Sequence, residues 1–148
     1  MLGFGRRAYL DYDAEKRIVS AIGNSEKNTR AEIRVHLSSK IRKDIYTDAV
    51  INFKRLGLYK TQLRSAVMIY VVPNSKEFAI VGDVGIHEKV RDEFWQEVRD
   101  AMTEEFKSGD IANGIIKGIE LAGAKLEEYF PLNQGPNPNE LSDKISRG

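Results

Sequence analysis

A single carboxylate held between two glycines is the feature of this sequence best placed to do chemistry. In Phe78-Ala-Ile-Val-Gly-Asp-Val-Gly-Ile86 an apolar run ends at Gly82, Asp83 follows, and Gly85 comes two residues later. Glycines on both sides let the backbone turn sharply and approach whatever the acid holds. Two more acids stand at predicted element ends: Glu32 opens the first strand and Asp110 opens the last helix. Hard cations are held this way, by carboxylates and loop carbonyls that together reach about six to eight oxygens. Each acid also has a plainer reading. Asp83 suits a turn, Glu32 can pair with Arg30 or Arg34, and Asp110 is fully explained as an N-cap.

Other chemistries lack their residues. The chain has no cysteine, which excludes disulfides, thiolate nucleophiles and thiolate zinc sites. His36 and His87, the only histidines, are far apart and match no metal spacing. There is no phosphate loop, no dinucleotide-binding glycine pattern and no Gly-x-Ser-x-Gly elbow. Asp11-Tyr-Asp13 begins like a calcium loop, but Lys16 stands where glycine is required and Ile22 where the bidentate acid belongs. A hydrolytic acid/base pair fares worse than a metal site, because no partner nucleophile or oxyanion donor can be named.

The elements that must carry these acids follow from periodicity. Asp11 or Asp13 caps a helix over about Ala14 to Ile22, ended by Gly23-Asn24. Glu32-Ile-Arg-Val-His-Leu37 alternates as a strand, and its Glu32, Arg34, His36 face calls for solvent or a polar cover. A helix spans Asp44 to Leu56 and stops at Gly57. Ala66 to Val72 is apolar throughout, as in a strand covered on both faces. Glu77 to Val81 folds back on it as an antiparallel hairpin. Apolar residues at Val90, Phe94, Val98, Met102 and Phe106 predict one helix over about Glu88 to Phe106. A last helix runs from the Asp110 cap to about Tyr129. Gly114 and Gly118 lie one turn apart in it and imply close approach to the sheet.

The order α-β-α-β-β-α-α gives a right-handed strand–helix–strand unit plus a hairpin strand, and thus a three-layer α/β/α sandwich around a small mixed sheet. Its topology places Glu32 and Asp83 at one rim, about 9–10 Å apart if strand order follows chain order. One domain is expected over residues 1–131, with residues 132–148 as an extended or disordered tail rich in proline.

At 148 residues with 41% hydrophobic and 30% charged content, the chain suits one soluble domain. A net charge of +1 offers no basic surplus for nucleic acid, and Lys40-Ile-Arg-Lys43 reads as solvated loop charge. No apolar run approaches the ~18 residues of a membrane span, and the N-terminus lacks a signal-peptide core. A soluble, cytoplasmic monomer without membrane insertion is expected.

Four segments are familiar as a set: Thr29-x-Ala-Glu-Ile-Arg-Val35, Ala66-Val-Met-Ile-Tyr-Val-Val72, Phe78-x-Ile-Val-Gly-Asp-x-Gly-Ile86 and Phe106-Lys-x-Gly-Asp110 before a glycine-punctuated helix. In this order, from about Asp13 to Pro131, they resemble the TPM domain family, named after a thylakoid lumen protein, a photosystem II accessory protein and a nematode receptor modulator. Asn139-Glu-Leu-Ser-Asp143 also resembles the tail of short bacterial members. The resemblance implies an α/β/α sandwich and binding of divalent cations, chiefly calcium. Carried over by motif, the ligands would be Glu32, Asp83 and Asp110, with Asp92 as an outlying addition. The Val84 carbonyl would complete the shell. The expected role is a calcium-binding accessory or interaction module with a protein partner. The alternative is a metal-assisted acid phosphatase using the same carboxylates.

Overall fold

The computed structural model describes residues 10–132, 137 and 140–148. In chain order the elements are α1 (Tyr12–Glu26), β1 (Glu32–Leu37), α2 (Ile45–Arg55), β2 (Ala66–Val72), β3 (Glu77–Gly82), α3 (Val84–His87), α4 (Gln96–Lys107), α5 (Ile111–Tyr129) and β4 (Ser146–Arg147). Local cap chemistry starts three of the helices. Asp11 accepts the Ala14 N–H at 2.8 Å, Asp44 the Thr47 N–H at 2.9 Å, and Asp110 the Asn113 N–H at 3.0 Å. Helix α1 runs through Gly23 to Glu26, a turn beyond the predicted stop.

The sheet order is β3-β2-β1-β4. β1 and β2 are parallel with Glu32 opposite Ala66, and β2 and β3 are antiparallel with Val67 opposite Gly82. Alternation splits the sheet residues between two cores. Ile33, Val35, Val67, Ile69 and Val71 belong to the core that holds Ile18 and Ile22 of α1, Met102 and Phe106 of α4, and Ile115 and Ile119 of α5. Ala66, Met68, Tyr70 and Val72 face the other way, onto Ala49 and Phe53 of α2. The three-layer α/β/α sandwich expected from the element order is thus the observed fold.

Three features differ from expectation. The single helix predicted over 88–106 is instead a non-helical stretch over 88–91, a 3-10 turn at Asp92–Trp95, and α4, with the short α3 lying before it. Extended backbone at Arg91 (φ −96°, ψ 173°) breaks it, so Val90 is buried from a loop and not from a helical stripe. Gly114 and Gly118 admit α4 and not the sheet. A Cβ there would stand 2.5 Å from Phe106 and 2.5 Å from the Met102 sulfur respectively.

The third difference is the tail. Its described residues lie against the sheet, and β4 pairs parallel to β1 with His36 opposite Ser146. The tail supplies the polar cover that the Glu32, Arg34, His36 face required. The Leu141 N–H donates to Glu32 at 2.7 Å, Arg34 donates to the Ser142 carbonyl at 3.3 Å, and His36 Nδ1 meets Ser146 Oγ at 2.8 Å. Residues 1–9 of the expected domain, and 133–136 and 138–139 of the expected tail, lie outside the described residues.

Candidate functional site

The turn after β3 puts Asp83 at the sheet rim where β1 and β2 begin. Its N–H donates to the Ala66 carbonyl at 2.9 Å, and Ala66 is the residue opposite Glu32. Asp83 and Glu32 therefore flank β2 at one rim, two strand spacings apart. The Asp83 carboxylate is only 5% exposed. It caps α3 by accepting the Val84 N–H at 2.8 Å, and it is gripped by a guanidinium: Arg64 Nε at 2.7 Å and Nη2 at 2.8 Å. This bidentate fork is the strong form of a carboxylate contact.

Backbone geometry delivers that arginine. Arg64 has φ 52°, in the left-handed region that costs a non-glycine residue conformational energy. Its carbonyl accepts the Gly85 N–H at 2.9 Å. A Cβ on residue 85 would lie 2.3 Å from the Leu63 carbonyl oxygen and 2.6 Å from that of Arg64, so only glycine lets the two turns lock together. The Gly-Asp-x-Gly spacing is thus explained by docking of the 63–64 turn. Arg64 itself, 45% exposed, is held at its carboxylate end and open to solvent elsewhere.

Glu32 is fully buried, and its Oε2 has no hydrogen-bond partner. Burial pushes its carboxyl up to about 7, against the pull of the Leu141 N–H and with help from the nearby Glu140 carboxylate. Glu140 in turn accepts the Gln62 N–H at 3.1 Å. A second carboxyl pair lies beside it. Glu26, 6% exposed at the end of α1, accepts the Ile33 N–H at 2.7 Å and faces Asp143 of the tail. Burial pushes Glu26 up to about 9, opposed by the Ile33 N–H and reinforced by Asp143 and Glu32. Asp143 Oδ1 is buried without a donor, which a proton on Glu26 would supply.

The remaining sequence candidates are scattered. Phe130, just past the end of α5, accepts the Arg30 N–H through its carbonyl at 2.8 Å, so that end of the helix adjoins the Glu32 rim. Asp110 caps the opposite end of this 19-residue helix, about 28 Å away at ~1.5 Å per residue. Asp92 is exposed and pairs with Arg99 at 3.4 Å. The Val84 carbonyl accepts the Glu88 N–H at 3.0 Å. The structure places Asp83 and Glu32 at one rim, two strand spacings apart, with Arg64 on Asp83 and with Glu140, Glu26 and Asp143 near Glu32, four residues that sequence reasoning did not single out. Among the described residues, no group of three or more His, Asp or Glu side chains is arranged to hold a metal ion. Arg64 occupies the position that a cation at Asp83 would have to take. Glu32, with its orphaned oxygen, is the second donor available there.

A three-layer sandwich with a buried acid at the turn after a hairpin strand defines a small α/β domain whose signature turn lies at the sheet rim. The TPM domain family matches residues 6–125, and the chain belongs to that family. Its fold is similar to the BA42 protein of the psychrophilic bacterium Bizionia argentinensis, solved by NMR. The two share 41% identity with a TM-score of 0.89, over 95% of this chain and 96% of that one. It also resembles the N-terminal domain of the cg2496 protein of Corynebacterium glutamicum, at 16% identity and TM-score 0.63, over 77% of this chain and 72% of that one, a likeness of fold. No curated protein matches the sequence. Among the described residues no helix is long and apolar enough to cross a membrane.

Proposed function

We propose that this TPM domain is a divalent-cation-binding accessory module in which a cation such as calcium competes with Arg64 for Asp83. The observation that supports this reading is a 95%-buried carboxylate whose countercharge is a half-exposed arginine on a left-handed turn. A buried carboxylate stays ionised only with a countercharge or hydrogen-bond donors beside it. Arg64 supplies one that can swing into solvent, and Glu32 supplies an unpaired oxygen two strands away. When bound, the cation would provide a fixed double charge at the rim. The protein's own part is to hold Asp83 through the Val84 N–H and to keep Glu32 desolvated.

Competition with Arg64 makes binding weak in the native chain and tighter once the arginine is removed. Calcium titration followed by NMR should give shifts over residues 82–86 at millimolar calcium. Arg64→Ala should bind about tenfold more tightly and Asp83→Asn should lose the response. Silence at residues 82–86 in both the native chain and Arg64→Ala would end this reading. The phosphatase alternative uses the same carboxylates; its discriminator is phosphate-ester hydrolysis by highly purified protein that disappears in Asp83→Asn.

A further inference from the structure

The rim opposite Asp83 carries a charge arrangement of the other sign. The Lys40–Lys43 run leaves the carboxyl end of β1 and turns back into α2. Asp48, 4% exposed, fixes that turn by accepting the Arg42 N–H at 2.7 Å and the Lys43 N–H at 3.1 Å. Its carboxylate is thereby committed to backbone donors. The Arg42 and Lys43 side chains are exposed, and together with Arg55 they line a cavity of about 170 Å³ that also presents Ser38, Asn52 and Tyr70. Arg55 donates to Asn52 Oδ1, and none of the three cations has a carboxylate partner among the described residues. The three cations outnumber the Asp48 carboxylate, and the Gly148 main chain lines the same cavity beside Arg55.

The floor of the cavity is built, not fluid. Tyr70 is 2% exposed and stacks on the fully buried His36 ring at 5.3 Å with a 12° tilt. Burial holds the His36 imidazole below its ordinary range, the Gly148 backbone offsets this in part, and the Arg55 and Arg34 charges add to the lowering. The location also has a topological reason. β1, β2 and β4 run parallel and end on this side, and the crevice outside the carboxyl ends of parallel strands is where α/β sheets place ligands.

We propose that this cavity binds a compact oxyanion, with a phosphoryl group as the matching chemistry. Guanidinium forks engage phosphate oxygens bidentately, and Arg42, Lys43 and Arg55 supply the positive charge. The cavity holds a few times the ~30 Å³ share of one water and is smaller than the ~300–1,000 Å³ of drug-sized sites, which suits an ion or the phosphate end of a small ester. The site is independent of the cation reading, since it lies at the other end of the strands.

The test is an NMR titration of the full chain with inorganic phosphate, with a chelator present to remove divalent cations. Saturable shifts are expected at the Ser38, Arg42 and Lys43 amides and at Arg55 Nε. Arg55→Gln should weaken binding about tenfold, as should the pair Arg42→Gln and Lys43→Gln. Sulfate should compete, and acetate at equal ionic strength should not. These side chains lie on the surface, so the same spectra verify that both variants are folded. Shifts that never saturate and scatter over all basic residues would overturn the proposal. So would unchanged affinity in both variants, or acetate bound as tightly as phosphate.

Discussion

Replacing Glu26 by glutamine should flatten the pH dependence of this protein's stability. The folded carboxyl stands at about 9 against an ordinary 4.5, because it is buried and faces Asp143. The folded state therefore binds the proton more tightly than the unfolded chain does. Stability from this group is complete below pH 4.5 and is lost as pH rises toward the folded value. Between pH 5 and 8 the unfolded carboxyl is ionised while the folded one retains its proton. At ~1.36 kcal/mol per pH unit this costs about 4 kcal/mol with a rigid site, and about half that if Asp143 swings outward. Glutamine reproduces the protonated form: its carbonyl can accept the Ile33 N–H, and its amide can donate toward Asp143. Urea unfolding of both proteins, followed by circular dichroism, should give matching stabilities near pH 5 and a Glu26→Gln advantage of about 2–4 kcal/mol at pH 8. Parallel stability curves across that range would mean that Glu26 is ionised in the fold, and the account of the carboxyl pair would be wrong.

Two further outcomes follow from the geometry. Gly85→Ala should destabilise by about 3 kcal/mol in urea unfolding, because its Cβ would stand 2.3 Å from a backbone oxygen that cannot rotate away. Removing residues 140–148 should return the Glu32 titration midpoint from about 7 toward 4.5, read by carbon-detected NMR, since the tail both covers that carboxyl and brings Glu140 to it.

The parts of the fold legible in the sequence are those set by local chemistry. Asp11, Asp44 and Asp110 cap helices because an N-cap needs only a short acceptor near three free N–H groups. The alternation of β1 and the apolar run of β2 mark one strand half covered by polar groups and one buried on both faces. The turn at Asp83 was legible as a turn, but its partner was not. Arg64 lies 19 residues earlier and reaches the acid only through a left-handed backbone that no neighbouring residue type announces. Glu26 was hidden for a related reason. Gly23 suggests a helix end before it, whereas α1 continues one turn to Glu26, whose buried side chain accepts the Ile33 N–H. The break at Arg91 defeats a regular four-residue spacing, since Val90 is buried without belonging to any helix.

The tail changes what kind of object the sheet is. Without it, β1 would be an edge strand exposing Glu32, Arg34 and His36 beside unpaired backbone groups, a template for pairing with other chains. Residues 140–148 close that edge with only one two-residue strand, so most of the closure is made by side chains of β1. Glu32 takes the Leu141 N–H at one end, and His36 meets Ser146 at the other. Burial of polar groups is less costly where they find partners, and here partners for Glu32 Oε1 and His36 Nδ1 come from a segment more than a hundred residues away in sequence. The same short segment therefore borders both rims: Glu140 sits beside Glu32 near the carboxylate turn, and Gly148 lines the basic cavity beside Arg55. The polar residues of β1 are its anchoring points, which is why a strand between two layers of this sandwich carries an acid, a base and an imidazole on one face.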